Sequence, residues 1–225
     1  NDSDLNKIAN ELVDGIEKDK SSREDWEHTY TDGLKYLGMK VDDERSEPFA
    51  GASGVIHPLL GEAVTTFQAQ AYKELLPSGG PVKTQVIGAY DSAVEEQAQR
   101  VKDFMNYQIT HVMEEFDEEL DQMLFYLPLA GSAFKKVYYD EAIGRAVSKF
   151  VAPEDLIVPY YTTDLESCPR ITNVIKMPEN EVRKLQALGF YRKIDIDYGD
   201  DASISSDVKE EIDKLSGMEP SYDDG

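Results

Sequence analysis

Leu5, Ile8, Leu12 and Ile16 recur three and four residues apart, which puts them on one side of a helix, and the polar run 19–22 ends the pattern. Ser22, with Asp25 three residues later, reads as the N-cap of a second helix striped by Trp26, Tyr30, Leu34 and Leu37 and stopped by Gly38. At this spacing Trp26 belongs to a packed face rather than to an exposed stacking platform. Residues 41–54, with Pro48, small residues and two glycines, break the periodicity and predict an extended connector. Pro58 then suits a first helical turn, and Leu60, Val64, Phe67, Ala71 and Leu75, widened by Tyr72 and Leu76, form the next stripe up to the breaker run 77–81. Residues 82–87 alternate like a short strand.

The longest periodic stretch covers residues 92–126. Val101, Met105, Ile109, Val112, Phe116, Leu120 and Met123 line one face, and the pattern predicts a single amphipathic helix, about 50 Å long if unbroken. From 127 to 159 the pattern turns strand-like. Phe134, Val137 and Tyr139 lie in one extended run, Ala146, Phe150 and Val151 in a second, and residues 140–145 supply turn chemistry between them, so a β-hairpin is predicted. A further strand follows at 171–176. Pro178, Glu181, the stripe Val182, Leu185 and Leu188, and Gly189 then give a well-capped short helix. Beyond Arg192 the chain is acidic and turn-rich, with one short helix expected at 208–215.

These elements place the chain in the α+β class: a mainly helical N-terminal half with a long amphipathic helix, then a small antiparallel sheet and a short helix. Read linearly, they divide into a helical region with an extended loop (1–91), the long helix with its hairpin (92–194), and an acidic linker or excursion (195–225).

Charge changes what this fold can be expected to do. Against 23 Lys plus Arg stand 45 Asp plus Glu, a formal charge of −22, which opposes any non-specific grip on DNA or anionic lipid. The N-terminus carries no signal- or transit-peptide pattern, and the most apolar run, 123–131, is far short of the roughly 20 residues a bilayer span needs. A membrane partner is therefore not expected. The single Cys168 cannot form an internal disulfide, and no Cys/His zinc spacing occurs.

On the long helix, Glu114, Glu115, Asp117, Glu118, Glu119 and Asp121 form a like-charge cluster with no Lys or Arg among them. Three readings compete: a solvated face, a metal or acid/base site, and a surface turned to a neighbouring subunit or a channel, for which Glu114, Glu115, Glu118, Glu119 and Asp121 are the candidates. On the hairpin, Lys135, Lys136 and Tyr138 are the candidate surface residues, with Lys135-Lys136 guarding an exposed strand. No phosphate-binding loop, dinucleotide fingerprint, zincin motif, nucleophile elbow or EF-hand loop is present, and His28, His57 and His111 are scattered over different elements. Enzymatic activity, metals and cofactors are accordingly not expected.

The order of several short motifs carries a resemblance. Ala130-Gly-Ser-Ala-Phe-Lys-Lys-Val-Tyr-Tyr-Asp, then Gly144, then Val151-Ala-Pro-Glu-Asp-Leu-Ile-Val-Pro, then 172–176 and Met177-Pro-Glu-Asn-Glu-Val-Arg resembles the wing region of bacteriophage portal proteins, those of short-tailed phages in particular. Arg45-Ser-Glu-Pro-Phe, the small-residue stretch after it and His57-Pro58 are similar to the segment preceding that wing. The resemblance spans residues 26–194. It implies a structural subunit of a homo-oligomeric ring, a dodecamer in that family, at one vertex of the capsid. Double-stranded DNA is packaged and ejected through such a ring without sequence-specific binding. It also implies contact with the major capsid protein, and with terminase and a head-tail adaptor through stem and clip parts not identifiable here, in a virion assembled in the host cytoplasm. Two other classes stay open on the residues alone: an acidic adaptor or DNA-mimicking binding protein, and a metal-dependent hydrolase using the acidic cluster.

Overall fold

The computed structural model describes residues 2–37, 58–89, 91–141 and 143–196. The expected connector 41–54, the Gly38 stop, His57, the motif at 45–49 and the acidic stretch from 197 onward, with its helix at 208–215, lie outside these residues. In chain order the elements are α1 (Asp2–Ser22), α2 (Glu24–Tyr36), α3 (Leu59–Leu75), α4 (Ser92–Tyr107), a π-helical turn (Gln108–Val112), α5 (Phe116–Ala130), β1 (Phe134–Asp140), β2 (Arg145–Val151), β3 (Leu156–Ile157), β4 (Thr172–Asn173) and α6 (Glu179–Ala187). The fold is α+β, mostly helical before a small antiparallel sheet and a short helix.

The chain forms two compact units, Asn1–Asp32 with Glu154–Gly225, and Gly33–Pro153. The first is therefore built from two distant stretches of chain. A buried arginine, Arg23, and a half-buried one, Arg170, join those stretches. Arg23 lies between α1 and α2, pairs with Glu27 at 2.9 Å, and donates to the carbonyls of Leu156 (2.9 Å) and Glu154 (2.7 Å). Its guanidinium also sits 5.3 Å from the Trp26 ring, which stacks on Tyr30, so Trp26 is half-buried as its spacing predicts. Arg170 bonds Asp19 and the Gly15 carbonyl, each at 2.7 Å. Gly15 is the residue that admits it, because a Cβ there would lie 2.1 Å from the guanidinium.

Ser22 does not cap α2. It ends α1, its hydroxyl donating to the Asp19 carbonyl and accepting the Tyr160 N–H at 3.1 Å, and only Arg23 separates the two helices. The expected strand 171–176 is reduced to β4, which pairs with β3 in the register Leu156↔Asn173 and Ile157↔Thr172. Pro178 stands at the N-cap position of α6, its carbonyl accepting the Glu181 and Val182 N–H groups, and Gly189 (φ 79°) closes the helix. Phe190 N–H reaches the Leu185 carbonyl and Gly189 N–H the Gln186 carbonyl, the paired bonds of a Schellman ending.

In the second unit, α3 packs on α5, and α5 on β2. Leu34, Val64, Leu120, Leu124, Ala130 and Val147 are its buried apolar residues among those described, together with Pro153. The 92–126 stretch is two α-helices and not one. After the π-helical turn, Met113 leaves the helical region (φ −87°, ψ 79°) and α5 starts afresh. At the start of α5, Asp117, Glu118 and Glu119 occupy a first turn, where the helix dipole favours carboxylates.

Residues 82–87 are not a strand. Val82 is held by one side chain, Asn106, which accepts its N–H at 2.9 Å and donates to its carbonyl at 3.2 Å, and no neighbouring strand extends the pairing among the described residues.

Candidate functional site

In the second unit the hairpin and the helix before it are joined by a set of polar contacts. β1 and β2 pair antiparallel from Phe134↔Val151 to Asp140↔Arg145, and Gly144, at φ 74°, makes the turn. β2 offers outward N–H groups at Ser148 and Phe150. Glu115 accepts the first at 3.1 Å and Glu119 the second at 2.5 Å. Two dimensions make this fit. Residues four apart rise about 6 Å along a helix, and residues two apart about 6.8 Å along a strand. A pair of carboxylates one turn apart thus imitates the acceptor row of a neighbouring strand and closes the edge of β2.

The opposite side of α5 is tied in the same way. Asp117 accepts from the Tyr72 hydroxyl, and Asp121 from Gln68 Nε2 at 2.8 Å, two rungs between α5 and α3. Positions 115 and 117 differ by about 200° around a helix, so the two ladders leave from opposite faces. Three of the five predicted acidic surface residues, Glu115, Glu119 and Asp121, therefore make internal hydrogen bonds, as does Asp117. Glu114 and Glu118 are exposed.

Glu115 is also ion-paired with Arg145 at 2.6 Å, both side chains being largely buried. Burial opposes its ionisation, but its own backbone N–H, Arg145 and the Ser148 N–H outweigh that and hold the carboxyl below its ordinary range. Hydrogen bonding to Asp117 pushes the Tyr72 hydroxyl up. The cation missing from the acidic run is thus supplied by the hairpin.

The predicted hairpin surface divides. Lys136 is exposed and Tyr138 half-buried, with the Lys136 ammonium 5.6 Å from the Tyr138 ring centroid. Lys135 is no exposed guard. Its Nζ lies 3.8 Å from the Phe116 ring centroid, buried and without a hydrogen-bond partner among the described residues, and burial pushes its pKa down against the pull of Glu119 and Glu115. The alternation of the strand explains this, since Lys135 stands on the same face as its cross-strand partner Phe150, which is seated on α5 by stacking with Tyr126 at 5.4 Å.

Sequence reasoning missed Arg23, Arg145 and Arg170; the carbonyls that Arg23 reaches and the acidic partners of Arg145 and Arg170 are remote in the chain. A signal for the carboxylate ladders was present in the i, i+4 spacing of 115 with 119 and 117 with 121.

Among the described residues no group of three or more His, Cys, Asp or Glu is placed to hold a metal ion, and no helix is long and apolar enough to cross a membrane. His28 and His111 are both exposed, the latter stacked on Tyr107. No protein-family model matches the chain. No curated protein matches it significantly either.

Proposed function

We propose that this chain is the wing-bearing region of a portal subunit of a tailed, double-stranded-DNA bacteriophage, which assembles with copies of itself into a ring at one capsid vertex. The observation that carries the reading is apolar surface that the fold leaves uncovered on regular elements. Leu5, Ile8, Leu12 and Val13 on α1 are about half exposed, between 50% and 55%. On α4, Val101, Phe104 and Met105 are 48%, 60% and 42% exposed, and the helix has no buried residue. Amphipathic stripes of this kind stay in water only at a cost of roughly 25 cal/mol per Å², and contact between subunits removes that cost.

The braced hairpin supports the same reading. The Glu115 and Glu119 ladder and the seat for Phe150 fasten the hairpin to α5, and a second ladder ties α5 to α3, so the hairpin is held in a defined place on its unit, as a ring subunit that must meet its neighbours reproducibly requires. The proposed role is structural: DNA passes through the ring in both packaging and ejection, and the capsid protein, the motor and the tail adaptor meet it at the vertex of the virion. The excess of carboxylates suits a conduit that must let a polyanion slide.

Electron microscopy and light scattering of the purified protein test the proposal. A closed ring with an axial hole is the expected result. A monomer that binds a basic protein tightly would replace this reading with the acidic-adaptor one.

A further inference from the structure

We infer that the outer edge of β1 accepts a β-strand from a second copy of this protein. In an antiparallel pair, residues directly opposite each other both point their backbone groups inward or both point them outward, in alternation. The Ser148 and Phe150 N–H groups point outward to Glu115 and Glu119. Their partners in the register, Val137 and Lys135, therefore point outward on the other side, and so does Tyr139. The edge from Lys135 to Tyr139 runs about 14 Å and presents three N–H and three C=O groups that find no partner among the described residues. One edge of the hairpin is closed by carboxylates and the other is open.

The side chains on the open edge invite a partner. Val137 is 67% exposed and Tyr139 64%, and both stand on one face. The residue best placed to repel a strand, Lys135, is turned away over Phe116. On the other face Lys136 stands directly opposite Lys149, both exposed, and no carboxylate pairs with either among the described residues. Facing lysines destabilise a hairpin, and a carboxylate laid across both relieves them. The occupant is therefore an extended, carboxylate-bearing segment. A second copy supplies it, since 45 of the 225 residues are Asp or Glu. This deepens the self-assembly proposed above by naming a contact surface, and its test separates the two.

Two variants of the whole chain and one backbone readout decide it. Val137→Pro removes an N–H that the β1–β2 ladder does not use and that an added strand needs. It is expected to weaken self-association about tenfold in sedimentation, with far-UV circular dichroism unchanged. Lys136→Glu with Lys149→Glu leaves the backbone intact and is expected to weaken it about five- to tenfold. In the unmodified protein, exchange of the Lys135, Val137 and Tyr139 amides is expected to slow as concentration rises. Protection that does not depend on concentration means that the edge is closed by the chain's own residues, and overturns the inference. So does association that neither variant weakens. Rings that form while these amides stay unprotected remove the strand contact and leave the ring standing, whereas strand protection in a dimer without rings does the reverse. A failure of Val137→Pro to fold leaves the charge variant and the amide exchange to decide.

Discussion

Removing the carboxylates that close β2 is a perturbation whose size can be worked out from the contacts. In Glu115→Ala, Arg145 loses an ion pair at 2.6 Å, in which the two side chains are 22% and 18% exposed, and the Ser148 N–H loses its acceptor. Hydrogen bonds to charged groups contribute about 1.5–3 kcal/mol each, and leaving one partner of a well-buried pair behind costs 3–5 kcal/mol. For a partly buried pair we expect about 2–3 kcal/mol. Glu119→Ala removes the acceptor of the Phe150 N–H, at about 1.5–3 kcal/mol, and with it a carboxylate whose charge favours the buried Lys135 ammonium. The double variant should cost less than the sum, because one loss frees the strand that the other acceptor holds. The assay is native-state hydrogen exchange read at individual amides, alongside urea unfolding. A local loss of about 2 kcal/mol accelerates exchange about 30-fold, and the acceleration should concentrate at Ser148 and Phe150. Glu119→Gln, which keeps an acceptor oxygen, should recover most of the protection. If both amides exchange in the double alanine variant as slowly as in the unmodified protein, the carboxylates do not close the edge, and the account of the acidic run as a ladder is wrong.

Gly15→Ala would place a methyl group against the Arg170 guanidinium and should lower stability by about 1–3 kcal/mol, measured by thermal unfolding; in an Arg170→Ala background the same change should cost little, and equal costs in both would refute the contact. Arg23→Ala strips the Glu154 and Leu156 carbonyls and Glu27 of a buried partner and should cost about 3–5 kcal/mol in urea unfolding; a loss under 1 kcal/mol would show that Arg23 does not hold the hairpin's exit segment. Glu115 gives a pH signature: its carboxyl holds a proton less tightly in the folded state than the ordinary value of 4.5, so the unfolded chain binds more protons between the two values. Its stabilisation is complete above about 4.5 and is lost as pH falls through the folded-state value. Glu115→Gln should therefore flatten the acid limb of the stability profile, and an unchanged limb would count against that assignment.

Legibility in the sequence followed the range of the interaction. The stripes at 5–16 and 58–76, the hairpin with its turn, and the Pro178 to Gly189 helix could be read because periodicity and capping are local properties of the backbone. The reading failed where a remote partner decided the outcome. A period-two run at 82–87 had no strand beside it among the described residues, and Ser22 was drawn to Asp19 and Tyr160. The 92–126 stripe is continuous in hydrophobicity, but the helix breaks at Met113 and starts again at Phe116.

The candidate site shows the same division. The acidic run 114–121 was visible as charge, and its spacing held the two ladders. Which carboxylates face solvent was not visible, because Arg145, Ser148, Phe150, Gln68 and Tyr72 come to α5 only through the packing of α3 and the hairpin around it. By itself the sequence determined the elements, since hydrophobic period and turn chemistry act over a few residues. The tertiary structure alone decided which polar groups are satisfied within the fold and which stay open, because a hydrogen bond needs two groups within about 3 Å and chain order does not fix that distance.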